Sequence, residues 1–114
     1  MFDDLERADV FRAVADPTRR AMLELLRETD RSVNELVERF PVSQPAISRH
    51  LRVLREAGLV RPRKAGRQRV YTLEAGPLQE VYDWVEHYRR FWPRRLKALG
   101  EYLDRQPEPR SEEA

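Results

Sequence analysis

The sequence predicts a mainly α-helical fold with one small β-hairpin, in the order α-α-α-α-β-β-α. Three observations carry this expectation. Four stretches before residue 58 place apolar residues at helical spacing, and three of them open on a capping residue. From Val60 the spacing changes to the alternation of short strands around a glycine turn. After Gly76-Pro77 a long helical pattern resumes.

The elements follow in chain order. Leu5, Ala8, Val10, Phe11 and Val14 make a short helical pattern. Asp16-Pro17 opens a second helix, because Asp at an N-cap accepts from an orphan backbone amide and Pro at the first helical position has no amide to lose. Ala21, Met22, Leu25 and Leu26 are its expected buried stripe. Ser32-Val33-Asn34-Glu35 reads as a capping box before Leu36, Val37 and Phe40, and Pro41 biases Phe40 away from helical dihedrals. Ser43 then caps a fourth helix, which Gly58 ends as a left-handed cap that lets Leu59 fold back toward Leu54. Val60 to Lys64 and Arg69 to Leu73 read as two strands, joined through Gly66, with Pro62 confined to an edge. Val81, Val85, Tyr88, Trp92, Leu96, Leu99 and Leu103 are spaced by fours and threes, the seam of a helix that packs on another helix. Pro93 predicts a kink or break near Trp92. The whole reads as one domain over residues 1–105, with terminal helices at 1–14 and 77–104, and a polar tail at 106–114 whose composition predicts disorder.

Composition narrows the functions. The 114 residues contain no cysteine, which excludes disulfides, thiolate nucleophiles and thiolate metal sites. MFDDLERADV is acidic and lacks an apolar core, and no run approaches the roughly 18 apolar residues of a membrane span, so no membrane partner and a cytoplasmic location are expected. Net charge is only +2, but from Ser43 to Tyr71 eight basic residues face one acid, Glu56, a local balance of +7 that leaves −5 for the rest. That asymmetry is the footprint of a nucleic-acid-binding middle. No Gly-rich phosphate loop, HExxH or catalytic constellation is present, and Ser48 and His50, two apart on a helix, do not face each other. An enzyme and a cofactor are therefore not expected.

The fourth helix carries the chemistry. Residues about 100° apart around its axis put Ile47, Leu51 and Leu54 on one side. Pro45, Ser48, Arg49, Arg52 and Glu56 lie opposite, with Gln44 and Arg55 on the flank. A major groove admits one helix, and base edges there present donors and acceptors that Gln, Ser and Arg can read. Two helices around a tight turn, followed by a basic hairpin, make a winged helix-turn-helix. The candidate DNA-binding residues are Ser43, Gln44, Pro45, Ser48, Arg49, Arg52 and Arg55 on the helix and Arg63, Lys64, Arg67, Gln68 and Arg69 on the hairpin. Arg19 and Arg20 either touch phosphate or are solvated, and His50 is read as structural.

The runs "VADPTRRAMLELL" and "SVNELVERFPVSQPAISRHLRVLREAGLVRPRKAGRQRVYTL" resemble the ArsR family of bacterial winged-helix repressors across roughly residues 5 to 75. The resemblance implies a repressor that binds double-stranded DNA as a homodimer, its terminal helices pairing and its recognition helices entering successive major grooves of an inverted repeat. It implies Gln44, Pro45, Ser48 and Arg49 as groove-facing and Arg63, Arg67 and Arg69 as wing contacts. It also implies a dimer interface, for which Val10, Phe11, Trp84, Tyr88, Trp92, Leu96, Leu99 and Leu103 are the candidates. The chain departs from the metal-sensing members: SVNELVERF has no thiol, and Asp83 with His87 lacks a second ligand pair, so no metal is expected. The effector is not legible. Two other functions compete: a winged-helix docking module for a protein, against which the +7 stretch argues, and a repressor whose aromatic C-terminal helix senses a small molecule.

Overall fold

The computed structural model of the chain describes residues 8–93 and 101–105. The elements are α1 (Ala8–Val14), α2 (Pro17–Glu28), β1 (Arg31–Ser32), α3 (Val33–Arg39), α4 (Gln44–Glu56), β2 (Val60–Ala65), β3 (Gln68–Leu73) and α5 (Gln79–Glu86). Residues 101–104 are also helical. Internal contacts group the chain into two units, Met1–Val81 and Tyr82–Ala114. The expected interface residues Leu96 and Leu99, and the tail expected to be disordered, lie outside the described residues.

Local chemistry explains the helix boundaries in the first unit. The Asp16 carboxylate accepts from the Arg19 amide at 3.0 Å. Ser32 and Glu35 close the capping box in both directions, the Ser32 amide donating to Glu35 at 2.9 Å and the Glu35 amide to Ser32 Oγ at 3.1 Å. These bonds hold the carboxyl groups of Asp16 and Glu35 below their ordinary values, through the backbone amides they accept from. A depressed carboxyl contributes stability that is present above its unfolded value and is lost as pH falls through its folded one. Melting temperature is therefore expected to drop as pH falls below about 4, measured by circular dichroism. Asp16→Asn, which can still cap but cannot titrate, should flatten that acid limb; an unchanged limb would remove Asp16 from the acid response.

The Gly58 turn follows the expected motif closely. Gly58 has φ 77° and its amide donates to Arg55 O at 2.9 Å, while the Leu59 amide donates to Leu54 O at 2.9 Å. This pair of bonds is a Schellman cap, and it returns Leu59 and Val60 to the core, where they are 0% and 3% exposed. That core collects Val10, Ala13, Met22, Leu23, Leu26, Leu36, Ile47, Leu51, Leu54, Leu59 and Tyr71 among others. The stripe of α2 is shifted from expectation: Leu23 is buried and Leu25 half-buried. Val10, expected at a dimer interface, is instead 5% exposed within this chain's own core.

The sheet has one strand more than the sequence suggests. β3 lies in the centre, with β2 on one edge and the two-residue β1 on the other, all antiparallel. Arg31 pairs with Tyr71 and Ser32 with Val70, so the capping residue of α3 also anchors that helix to the hairpin.

The second unit corrects the long C-terminal seam. α5 ends at Glu86, short of Trp92, because the amides of His87 and Tyr88 turn back to Trp84 O and Val85 O, three residues earlier, and a 3₁₀ turn follows at Arg89–Phe91. Trp92 is extended, at φ −80° and ψ 155°, as a residue before proline prefers. Tyr88 and Trp92 thus leave the helical register of Val81 and Val85. Within this unit Arg89 donates to Glu86 at 2.9 Å and pairs with Asp104, and the Tyr82 hydroxyl lies 2.8 Å from Glu86 and 3.1 Å from Asp104. Those carboxylates push the Tyr82 hydroxyl up to about 12, first because Glu86 accepts a hydrogen bond from its protonated form, with Asp104 adding to the effect.

Candidate nucleic-acid interface

Ser43 starts α4 by accepting from the Ala46 amide at 3.3 Å, with Pro45 in the first turn where no amide bond is lost. Ile47, Leu51 and Leu54 fasten the helix to the core at 0%, 2% and 0% exposure. Its other side projects outward: Ser43, Gln44, Pro45, Ser48, Arg49, Arg52 and Arg55 are all exposed, as the phasing predicts. No ion pair joins Arg49, Arg52 or Arg55 to any described residue at bonding distance, although Glu56 is four residues from Arg52. The outward face thus offers cationic donors that no described acid pairs with.

Register sorts the charges of the β2–β3 ribbon onto two faces, since directly opposed residues share a face. Lys64 is opposite Arg69 on the face of Pro62 and buried Tyr71, and Arg63 is opposite Val70 on the face of Arg61 and Thr72. Gly66, at φ 67°, supplies the positive dihedral of the tip. On the second face the cations are matched: Arg61 pairs with Glu74 at 3.2 Å and Arg63 with Asp30 at 3.1 Å. Lys64, Arg67 and Arg69 have no ion pair with a described residue. Lys64 and Arg69 repel each other directly across the strands, a local cost that an approaching polyanion would remove.

The helix and the ribbon meet at an open cleft of about 430 Å³. Gln44, Ser48, Arg52 and Arg55 line it from α4, and Arg67, Gln68 and Arg69 from the ribbon. Seven of the twelve expected DNA-binding residues are thereby brought together. Ser43, Pro45 and Arg49 lie on the exposed helix surface outside that lining, and Lys64 and Arg63 line a smaller recess with Arg55 and Arg69. Asn34, in the first turn of α3, borders the main cleft and was not singled out from the sequence. Nothing in its local pattern could have shown this, because only the packing of α3 beside α4 puts it there.

Arg19 and Arg20 have a structural task. Arg19 Nε donates to Ala13 O at 2.8 Å, its Nη2 to Arg12 O at 2.9 Å, and Arg20 Nη1 to Val14 O at 2.8 Å. Together they bond the carbonyls at the end of α1, of which Arg12 O also accepts the Ala15 amide at 3.3 Å. Arg19 Nη1 also lies 3.2 Å from His50 Nδ1. A guanidinium only donates, so Nδ1 is the acceptor in this contact. His50 therefore links α4 to the α1–α2 corner, in keeping with a structural role. Among the described residues no group of three or more His, Cys, Asp or Glu is placed to hold a metal, and no helix is long and apolar enough to cross a membrane.

An exposed recognition helix beside a basic β-ribbon defines a winged helix-turn-helix protein of the DNA-binding class. The comparisons agree. Residues 16–61 match the family model for bacterial regulatory proteins of the arsR family. The chain is 42% identical over 94 residues to the HTH-type transcriptional regulator Rv2034 of Mycobacterium tuberculosis, covering 82% of this chain and 85% of that protein. It is 35% identical over 80 residues to the transcriptional repressor SdpR of Bacillus subtilis, covering 70% and 89%. Among solved structures, an ArsR-like transcriptional regulator from Rhodococcus sp. RHA1 superposes with a TM-score of 0.66 at 35% identity, covering 90% of this chain and 96% of that one. Another, the ArsR family transcriptional regulator RHA00566, gives 0.69 at 34% identity over 76% and 91%. The chain belongs to the ArsR family, and it is a DNA-binding transcriptional regulator of the repressor type, not an enzyme.

Proposed function

We propose that the protein represses transcription as a homodimer that reads an inverted-repeat operator, with half-sites about one helical turn, or roughly 34 Å, apart. The observation that carries this reading is the outward face of α4 and the adjoining cleft, where Gln44, Ser48, Arg52, Arg55, Arg67, Gln68 and Arg69 converge and the arginines have no ion pair with a described residue. Gln44, Ser48 and Arg49 meet base edges, Ser43 and Pro45 set the start of the helix in the groove, and Arg52, Arg55, Lys64, Arg67, Gln68 and Arg69 meet the backbone. Arg63, held by Asp30, is left out of this set. Repression of transcription in this manner is cytoplasmic work. The test is fluorescence anisotropy on duplex from the gene's own upstream region beside a scrambled duplex. A preference of at least about a thousandfold for the upstream duplex, with steep salt dependence, is expected. Equal weak binding to both would contradict a specific operator there.

The homodimer is supported by the aromatic surface of the second unit. Trp84, Tyr88, Phe91 and Leu103 are 51%, 47%, 67% and 59% exposed, an apolar surface of the kind that marks an interface. Trp84 and Tyr88 meet edge to face, centroids 5.3 Å apart, which fixes their shape for a partner. The cavity bounded by Tyr82, Val85, Arg89, Trp92 and Leu103 holds only about 140 Å³. Small-molecule sites usually span about 300–1,000 Å³, so packing is preferred here over an effector pocket. In sedimentation, Trp84→Ala is expected to give monomer at concentrations where the parent is dimeric. A dimer that survives both Trp84→Ala and Leu103→Ala would take this surface out of the interface.

A further inference from the structure

Asp30 lies in the short link between α2 and β1. Its Oδ2 accepts from Arg63 Nη2 on β2 at 3.1 Å and from the Thr72 hydroxyl on β3 at 2.9 Å, so one carboxylate oxygen is tied to both strands of the ribbon. The pair is not a stability device of any size. Arg63 and Asp30 side chains are 55% and 37% exposed, and ion pairs so placed contribute little. What the pair changes is the ribbon's charge. Of its five cations, Arg61 and Arg63 are paired with Glu74 and Asp30 on one face, while Lys64 and Arg69 on the other face, and Arg67 at the tip, have no ion pair with a described residue. Arg67 and Arg69 line the main cleft with Arg52 and Arg55, and Lys64 lines the smaller recess with Arg55, which Arg63 also borders while held by Asp30.

We propose that Asp30 is a specificity-determining residue: it withdraws Arg63 from the charges available to phosphate and so fixes which side of the ribbon DNA meets. Nonspecific affinity grows with every phosphate neutralised, and each such contact steepens the dependence of log K on log salt by about 0.9. A ribbon attractive on both faces would hold any duplex in more than one orientation. Masking one face lowers nonspecific binding while leaving the contacts made through the cleft intact. Thr72 contributes by holding the carboxylate where Arg63 must meet it. The inference rests on the DNA-binding reading above.

The test measures anisotropy on upstream and scrambled duplexes across a salt series for the full chain and three variants. Asp30→Asn keeps the size of the side chain and an acceptor for Thr72 but removes the charge. It is expected to tighten scrambled-duplex binding several-fold, to steepen its salt slope by about 0.9, and to reduce the upstream preference. Asp30→Asn with Arg63→Ala should return all three to the parental values, and Arg63→Ala alone should leave the scrambled-duplex slope unchanged. Because Arg63 is exposed, that last variant keeps the test decisive even where Asp30→Asn folds poorly. An unchanged slope in folded Asp30→Asn, a gain that survives the double substitution, or a loss in Arg63→Ala as large as in Arg67→Ala would each overturn the proposal. If the parent protein binds neither duplex, the DNA-binding reading falls first and this inference with it.

Discussion

Arg49→Ala and Gln44→Ala are each expected to weaken operator binding by about 1–3 kcal/mol, the usual value of a base contact, while changing affinity for scrambled duplex far less. That is roughly a five- to 150-fold loss. Both side chains are exposed on α4, and among the described residues none forms an ion pair with the Arg49 guanidinium. Arg67→Ala should behave differently. It sits at the turn of the ribbon, lining the cleft from the far side of the helix, where backbone phosphate is the natural partner. Its loss is expected to weaken both duplexes alike and to make the salt slope shallower by about 0.9. Anisotropy titrations at several salt concentrations distinguish the two behaviours. Identical responses from all three variants would sink the division between reading and positioning.

Leu54→Ala is the largest expected effect on stability, about 2–5 kcal/mol, the cost of emptying a fully buried leucine site. Native domains hold only about 5–15 kcal/mol in all, so this one change can unfold a substantial fraction of the protein. Leu54 is 0% exposed, and its carbonyl also receives the Leu59 amide that turns the chain from α4 into β2. A cavity there loosens the recognition helix and the base of the ribbon together. By contrast Arg52→Ala, on the exposed side of the same helix, is expected to move stability by no more than about 0.5 kcal/mol. Urea unfolding followed by circular dichroism checks both, and a Leu54→Ala cost below about 1 kcal/mol would mean that the site collapses or is not core.

Much of the DNA-reading half was legible because its signals are local. Asp16, Ser32, Ser43 and Gly58 each act on amides and carbonyls within five residues, so a cap can be recognised without knowing what the helix packs against. The face of α4 follows from its period alone, and the exposed and buried residues fall where that period puts them. The C-terminal seam was less legible for the opposite reason. Spacings of four and three from Val81 onward fit a continuous helix, and only Pro93 warned against it. The actual end, at Glu86, comes with three-residue-back bonds at His87 and Tyr88 that periodicity does not register.

Sequence alone was enough to determine the first four helices, the hairpin of the winged helix-turn-helix, the exposed face of α4 and the absence of thiol chemistry, because each depends on residue type and near-neighbour spacing. Only the tertiary structure could decide which charges are available. Arg19, Arg20 and Arg63 look like any other arginine in the string, but Arg19 and Arg20 cap α1 and Arg63 is claimed by Asp30, 33 residues away. The strand Arg31–Ser32 is another such case: two residues carry no period, and they become a strand only because β3 offers an unpaired edge. Long-range pairing of this kind depends on where the chain returns, and that is settled when the apolar faces of α2, α3 and α4 close over one core.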